Sequence, residues 1–347
     1  MHTLLRWATL VAVTCLPNVV WAASGISLTI TANAGGAAIV AGTMNMGNVN
    51  GLGVGTASTG ISIVSAGVTG GVLYTSPYNL NVTLNGNEKN SNVSITAQVT
   101  TNFADPIFIA RNCQPGACSS GGSFTVIPTA GSINVVPTTF VGTTQTFTPL
   151  IAVFVSDANG TAYATQNTAT ITFTASDGPS TATATLNLRA TPQNAVQLTL
   201  GAGAGGLTVS PASDYSINFG NVNALGVGVP SAGLTKIAAA NGTIYSTPYL
   251  IQSAFSDQAS TTSSIKVFVS TNFAKTAVLE LDDASTCCAA GSFTALPTTS
   301  PGTAQIAGIS SGSSITRYLG LRVKKVNGAG GLTGSDNAII TFALTVP

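Results

Sequence analysis

Gly47-Asn48-Val49-Asn50-Gly51-Leu52-Gly53-Val54-Gly55 returns later in the chain as Gly220-Asn221-Val222-Asn223-Ala224-Leu225-Gly226-Val227-Gly228. The one change is Ala224 for Gly51. A phosphate-binding loop would close on Lys-Ser or Lys-Thr, and neither copy does. A dinucleotide fingerprint opens a helix, whereas Thr, Ser, Gly, Ile and Val follow here and suit turns and strands. The stretch therefore reads as a loop between strands, in which glycine takes backbone angles that other residues avoid. Two copies of one loop predict two copies of one domain.

The matching extends in both directions. Upstream, Ile26, Leu28 and Ile30 alternate with Ser27, Thr29 and Thr31, the period-two mark of a half-buried strand, and Leu198-Thr199-Leu200 is the counterpart. A short strand then ends in Met44-Asn45-Met46 or Ile217-Asn218-Phe219. Downstream, Leu73-Tyr74-Thr75-Ser76-Pro77-Tyr78 pairs with Ile244-Tyr245-Ser246-Thr247-Pro248-Tyr249. Val93, Ile95, Ala97 and Val99 are echoed by Ile265, Val267 and Val269, and both strands run into Thr-Asn-Phe-Ala. Gly122-Ser123-Phe124-Thr125 recurs at Gly291, and Ala169, Ile171 and Phe173 recur as Ala338, Ile340 and Phe342. Strands near the end of each copy meet Asn159-Gly160 and Asn327-Gly328, a strong hairpin signal.

A period of about 170 residues is a domain duplication, not a solenoid repeat of roughly 20–50. Short strands between Gly, Pro, Asn and Ser clusters predict an all-β protein. It is read as two tandem, duplicated immunoglobulin-like (Greek-key) β-sandwich domains. An outer-membrane barrel would carry aromatic girdles, and only 6% of the chain is aromatic. The expected boundaries are a signal peptide at 1–22, a first sandwich at 23–189, a linker at 190–194 and a second sandwich at 195–347. Asp177-Gly178-Pro179 marks a turn, and Thr181 to Leu188 reads as a further strand of the first domain.

The signal peptide rests on Arg6, an apolar run broken by Pro17 and Asn18, and Val20-Trp21-Ala22 ahead of the expected cleavage. Cys15 follows Thr14, which argues against a lipoprotein. The chain is thus expected to be secreted or on the cell surface. It carries 11 basic and 10 acidic residues, and losing Arg6 makes it neutral. No basic face exists to displace counterions from nucleic acid or to hold an anionic membrane. Low net charge favours self-association.

The only histidine is His2, inside the signal. Ser-His-Asp and Cys-His catalysis and histidine zinc sites are thereby excluded from the exported part. No cofactor or metal site is expected. Paired carboxylates are the one hydrolytic mechanism left. Glu280, Asp282 and Asp283 form the only cluster, with Glu280 and Asp282 on one strand face, and they read as a solvated strand end. The first copy offers Ile109 and Arg111 there. Asp157-Ala158-Asn159-Gly160-Thr161 lacks the closing Glu of a calcium loop and reads as a hairpin turn. Tyr74, Tyr78, Tyr245 and Tyr249 repeat between the copies. They are candidate ligand-contact aromatics that would stack on sugar rings. Alternatively, beside Pro77 and Pro248, they pack a turn against the sandwich. Asn81, Asn92, Asn159 and Asn241 fit Asn-x-Ser/Thr, which matters only in a eukaryote.

Four cysteines lie beyond the signal: Cys113, Cys118, Cys287 and Cys288. Export predicts that they are oxidised. Gln-Pro-Gly-Ala between Cys113 and Cys118 suits the tight turn that a local disulfide needs. Cys287 and Cys288 occupy the equivalent place and are expected to bond to each other. Pairings across the copies would join loops with no need to be neighbours.

The early strand into Phe219-Gly220-Asn221, its weaker form Met46-Gly47-Asn48, and the closing strand Asn337 to Val346 resemble bacterial secreted pilus, adhesin and spore-coat-U-like β-sandwich proteins. The resemblance implies an extracellular structural or adhesive role and no catalysis. Partners would be other cell-surface or pilus subunits. Surface glycans are the partners if the chain is instead a carbohydrate-binding module. Each half is read as having its own final strand, which argues against polymerisation by strand donation.

Overall fold

The computed structural model describes residues 25–118, 120–136, 139–160, 165–207, 215–256, 258–326 and 334–347. The expected signal peptide and the Asn327-Gly328 turn lie outside these residues.

The first half comprises β1 (Gly25–Ala32), β2 (Ile39–Val40), β3 (Thr43–Val49), β4 (Ser62–Val64), β5 (Gly71–Asn85), β6 (Ser94–Thr101) and β7 (Phe108–Cys113). It continues through β8 (Thr125–Val126), β9 (Ile133–Asn134), β10 (Thr144–Phe147), β11 (Leu150–Ser156), β12 (Asn167–Ser176) and β13 (Thr181–Pro192). The second half comprises β14 (Ala195–Ala202), β15 (Thr235–Ala239), β16 (Gly242–Ser256), β17 (Thr262–Thr271) and β18 (Leu279–Ala284). After these come β19 (Thr294–Ala295), β20 (Ile306–Ser310), β21 (Ser314–Lys324) and β22 (Ile339–Thr345). Helical turns among the described residues are short 3-10 segments such as Gly86–Asn90.

Each half is a two-sheet sandwich with its own apolar core. One sheet is the same in both: β1-β5-β11-β7-β8 in the first half and β14-β16-β21-β18-β19 in the second. Alternation explains the layers. Along β6, Ile95, Ala97 and Val99 point inward, and along β17 Ile265, Val267 and Val269 do the same. These two strands hold equivalent places, since β6 pairs with β12 and β17 with β22.

Pro77 and Pro248 belong to long strands, not to turns. β4 covers 73–75 of β5 and β1 covers 78–85, so Pro77 falls in the gap between the two partners. Pro248 falls likewise between β15 and β14. A residue with no N–H to give is tolerated there, because no ladder bond is lost. The expected linker also shortens. β13 runs on to Pro192 and β14 starts at Ala195, leaving Gln193 and Asn194 between them.

The second sheets differ. In the first half the order is β2-β3-β13-β12-β6-β9, with β13 antiparallel to β12 and parallel to β3. In the second half the sheet is β20-β17-β22. Among the described residues nothing takes the place of β13, and Ile217–Phe219 forms no strand. The expectation that each half has its own final strand is therefore corrected. β22 matches β12, which is the last but one. The likeness of Ala338, Ile340 and Phe342 to Ala169, Ile171 and Phe173 revealed which strand they form, not what covers it.

Candidate functional site

The position that β13 holds in the first half is an open groove of about 1190 Å³ in the second. Leu279, Leu281, Leu319 and Leu321 of the conserved-order sheet form its floor. Ile217, Phe219 and Val222 line one wall, and Ala338, Ile340 and Phe342 line the other. Burial records the difference. Ala169, Ile171, Phe173 and Ala175 are each 0% exposed. Their counterparts on β22, such as Ile340 and Phe342, are only partly buried. Met44 and Met46 are 0% exposed, while Ile217 and Phe219 are partly open. What closes the first half is the inner face of β13: Leu186 opposite Ile171, Leu188 opposite Ala169, and Ala190.

Tyr249, which lines the groove, ties it to an ion pair in the sandwich. The Tyr249 hydroxyl donates to Asp283 Oδ1 at 2.9 Å, and Arg317 Nε donates to Asp283 Oδ2 at 2.9 Å. Burial above all, then the Asp283 charge, holds the Tyr249 phenol well above its ordinary range. The first half is neutral at this place, where Tyr78 and the Asn112 amide share a 2.9 Å hydrogen bond.

Glu280 and Asp282 do share a strand face, as the alternation predicts. Asp282 is not solvated, however: it is 0% exposed. Arg322 lies 2.6 Å from Asp282 and 3.4 Å from Glu280. Burial pushes the Asp282 carboxyl up to about 6 against the pull of Arg322. Lys324 pairs with Glu280. Each carboxylate is thus held by a cation on the neighbouring strand, an arrangement that suits ladder cross-links and leaves no acid–base pair facing a cleft.

All four repeated tyrosines lie inside the sandwiches. Tyr74, Tyr78 and Tyr245 are 0% exposed and Tyr249 is 4% exposed. Sugar stacking needs an open ring face, and none of the four has one. Their hydroxyls have structural partners instead. Tyr74 donates to Asn50 O at 3.1 Å and accepts from Asn50 N at 3.0 Å. Tyr245 makes the same two bonds with Asn223, at 2.8 and 3.1 Å. The tyrosines therefore fix the glycine loops to the sheet, a role for which the sequence offered only the shared repeat as a signal. The loops tolerate no side chain at Gly55 or Gly228. A Cβ there would stand 2.4 Å from Asn48 O or 2.6 Å from Asn221 O.

Cys113 and Cys118 are bonded, with Cα atoms 5.7 Å apart, and Cys287 is bonded to Cys288. Asn159 of the expected hairpin reaches out of its own half. Its Nδ2 donates to Phe255 O at 2.9 Å, and Gly160 N donates to Gln258 O at 2.9 Å. Nothing in the Asn-Gly pair foretold this.

No protein family and no curated protein matches the chain. Similar solved structures include the CooA pilin subunit from enterotoxigenic Escherichia coli, at 7% identity and TM-score 0.28, covering 48% of this chain and 99% of that one. The CupB6 tip adhesin from Pseudomonas aeruginosa matches at 9% identity and TM-score 0.33, over 92% of this chain and 95% of that one. The CsuC–CsuE chaperone–tip adhesion subunit complex from Acinetobacter baumannii Csu pili matches at 8% identity and TM-score 0.33, over 92% of this chain and 100% of that one.

Proposed function

We propose that the protein is an exported, non-catalytic structural or adhesive surface subunit whose second half is completed by a β-strand from a neighbouring subunit. The observation that carries this is internal to the chain. The inner face of β12 is closed by β13, and the matching face of β22 is open over an apolar groove. An unpaired strand edge beside exposed apolar side chains is a template for strand addition. The two halves otherwise share one sheet order, so β13 is the pattern for the missing strand. It would run antiparallel to β22 and parallel to 217–222. Every second residue would be apolar, small opposite Phe342 and larger opposite Ile340 and Ala338. The lack of histidine beyond His2 and the cation-held carboxylates support a role without turnover.

A synthetic peptide of residues Thr181–Pro192 tests this on the full chain. It should bind saturably and raise the unfolding temperature of the second half. A peptide carrying Leu186→Asp and Leu188→Asp should do neither. Equal effects of the two peptides, or no effect of either, would overturn the proposal.

A further inference from the structure

Asn159 and Gly160 form a polar latch between the two halves. Asn159 Nδ2 donates to Phe255 O at 2.9 Å, and Asn159 Oδ1 accepts from Gln258 N at 3.3 Å. Gly160 N donates to Gln258 O at 2.9 Å. Only Gln193 and Asn194 separate β13 from β14, so these bonds help to set how the second half sits on the first.

The same pair has a chemistry of its own. Asparagine is thermolabile, and a following glycine, with no side chain, leaves its backbone nitrogen open to the asparagine amide carbon. In the closed junction both reacting groups are engaged, the amide with Phe255 and Gln258 and the Gly160 nitrogen with Gln258. Water has access all the same. Gly160 is exposed, and a crevice of about 400 Å³ is lined by Asp157, Asn159, Thr261 and Ser310. Reaction therefore needs only a local opening, and its rate follows the open fraction. Asn85-Gly86 is an internal reference, because Asn85 is exposed and its side chain makes no capping bond.

We infer that Asn159-Gly160 is a self-modification site, a deamidating latch whose conversion frees the second half from the first. Gly160 N loses its proton and bonds to Asn159 Cγ. The Cγ–Nδ2 bond breaks, and ammonia leaves with that proton. One water then opens the succinimide ring at either carbonyl, giving aspartate or isoaspartate. Both products lack the Nδ2 donor. Aspartate sets a carboxylate oxygen against Phe255 O, acceptor to acceptor, so the bond is lost and a buried acceptor goes unmet. Isoaspartate adds a methylene to the backbone as well, which draws Gly160 N out of line with Gln258 O.

Ageing the full chain in mildly alkaline buffer tests this. Peptide mass spectrometry reads conversion at Asn85 and Asn159, and hydrogen exchange reads the Gly160 and Gln258 amides. Asn159 should convert several-fold more slowly than Asn85, and exchange at both amides should quicken several-fold as it does. An Asn159→Gln chain, whose longer side chain closes a ring far more slowly, still ages at its other Asn-Gly pairs. Its Gly160 and Gln258 amides should exchange at a rate that does not change with ageing. An Asn159 still intact once Asn85 is fully converted would overturn the site. Conversion as fast as at Asn85 would overturn the latch. Conversion without faster exchange, or equal quickening in the Asn159→Gln chain, would overturn the release.

Discussion

Ala184 of β13 stands directly opposite Phe173 of β12 in their antiparallel register, whereas Phe342 of β22 is paired on one side only, with Val267 of β17, and among the described residues no strand pairs its other side. Both rings contact a tyrosine beneath, Tyr78 at 5.6 Å and Tyr249 at 5.8 Å between centroids. One ring is sealed and the other is open on one side.

Truncating the two rings should therefore cost different amounts. Phe173→Ala empties a fully enclosed site and should lower the stability of the first half by about 3–5 kcal/mol. Phe342→Ala removes a ring already partly in water and should cost the second half roughly 1–2 kcal/mol. Denaturant unfolding followed separately for the two halves measures both. Equal losses would mean that the groove is closed in solution.

Asp283 answers to Arg317 and Tyr249 together, so its removal should expose the cost of a stranded cation. Asp283→Asn should destabilise the second half by roughly 3–5 kcal/mol, because Arg317 would remain buried without its counter-charge. Asp283→Asn combined with Arg317→Leu should recover most of the loss, since the first half manages at this place with Asn112 and no cation. A double variant no more stable than the single one would refute the pairing argument.

The raised carboxyl of Asp282 makes a pH prediction with a definite sign. Its value is about 6 in the folded chain against an ordinary 3.8. Between these values the folded state binds the proton more tightly than the unfolded state does. The stability associated with this group is thus fully present below about pH 4 and declines as pH rises to about 6. It then levels off, after a loss of up to about 3 kcal/mol. Asp282→Asn should flatten this window in pH-dependent unfolding. An unchanged slope in that variant would assign the effect elsewhere.

Gly71 and Gly242 occupy matching ends of β5 and β16, at φ +154° and +148°. A Cβ would come within 2.1 Å of Val155 O in the first case and 1.9 Å of Val323 O in the second. Alanine at either site should destabilise its own half by several kcal/mol, roughly the sum of backbone strain and overpacking. Gly116→Ala, which meets nothing within 4 Å, should cost about 1–2 kcal/mol from strain alone. Matching losses at Gly71 and Gly116 would remove the close-approach argument.

The two disulfides should both be local. Non-reducing peptide mapping should find Cys113 joined to Cys118 and Cys287 to Cys288, with no peptide linking the halves. Replacing Cys113 and Cys118 together by alanine should cost about 2 kcal/mol, the amount expected for so short a ring.

What could be read from the residues alone was whatever repeats or alternates. The duplicated glycine loop announced two units. Period-two patterns placed strands such as β6 and β17, because a strand with one buried face must alternate. Composition argued against nucleic acid and histidine chemistry, because 11 basic residues are balanced by 10 acidic ones and the single histidine is His2. Local signals failed where their meaning depends on a distant strand. Pro77 looked like a turn until the gap between β4 and β1 explained it. Asp282 looked solvated until Arg322 was found beside it. Ala338, Ile340 and Phe342 have the same alternation as Ala169, Ile171 and Phe173, so pattern alone equates β22 with β12. Only the tertiary structure decides that β12 is covered and β22 is not. Alternation tells which face of a strand is apolar, but whether that face is buried depends on a strand remote in sequence, or in another molecule.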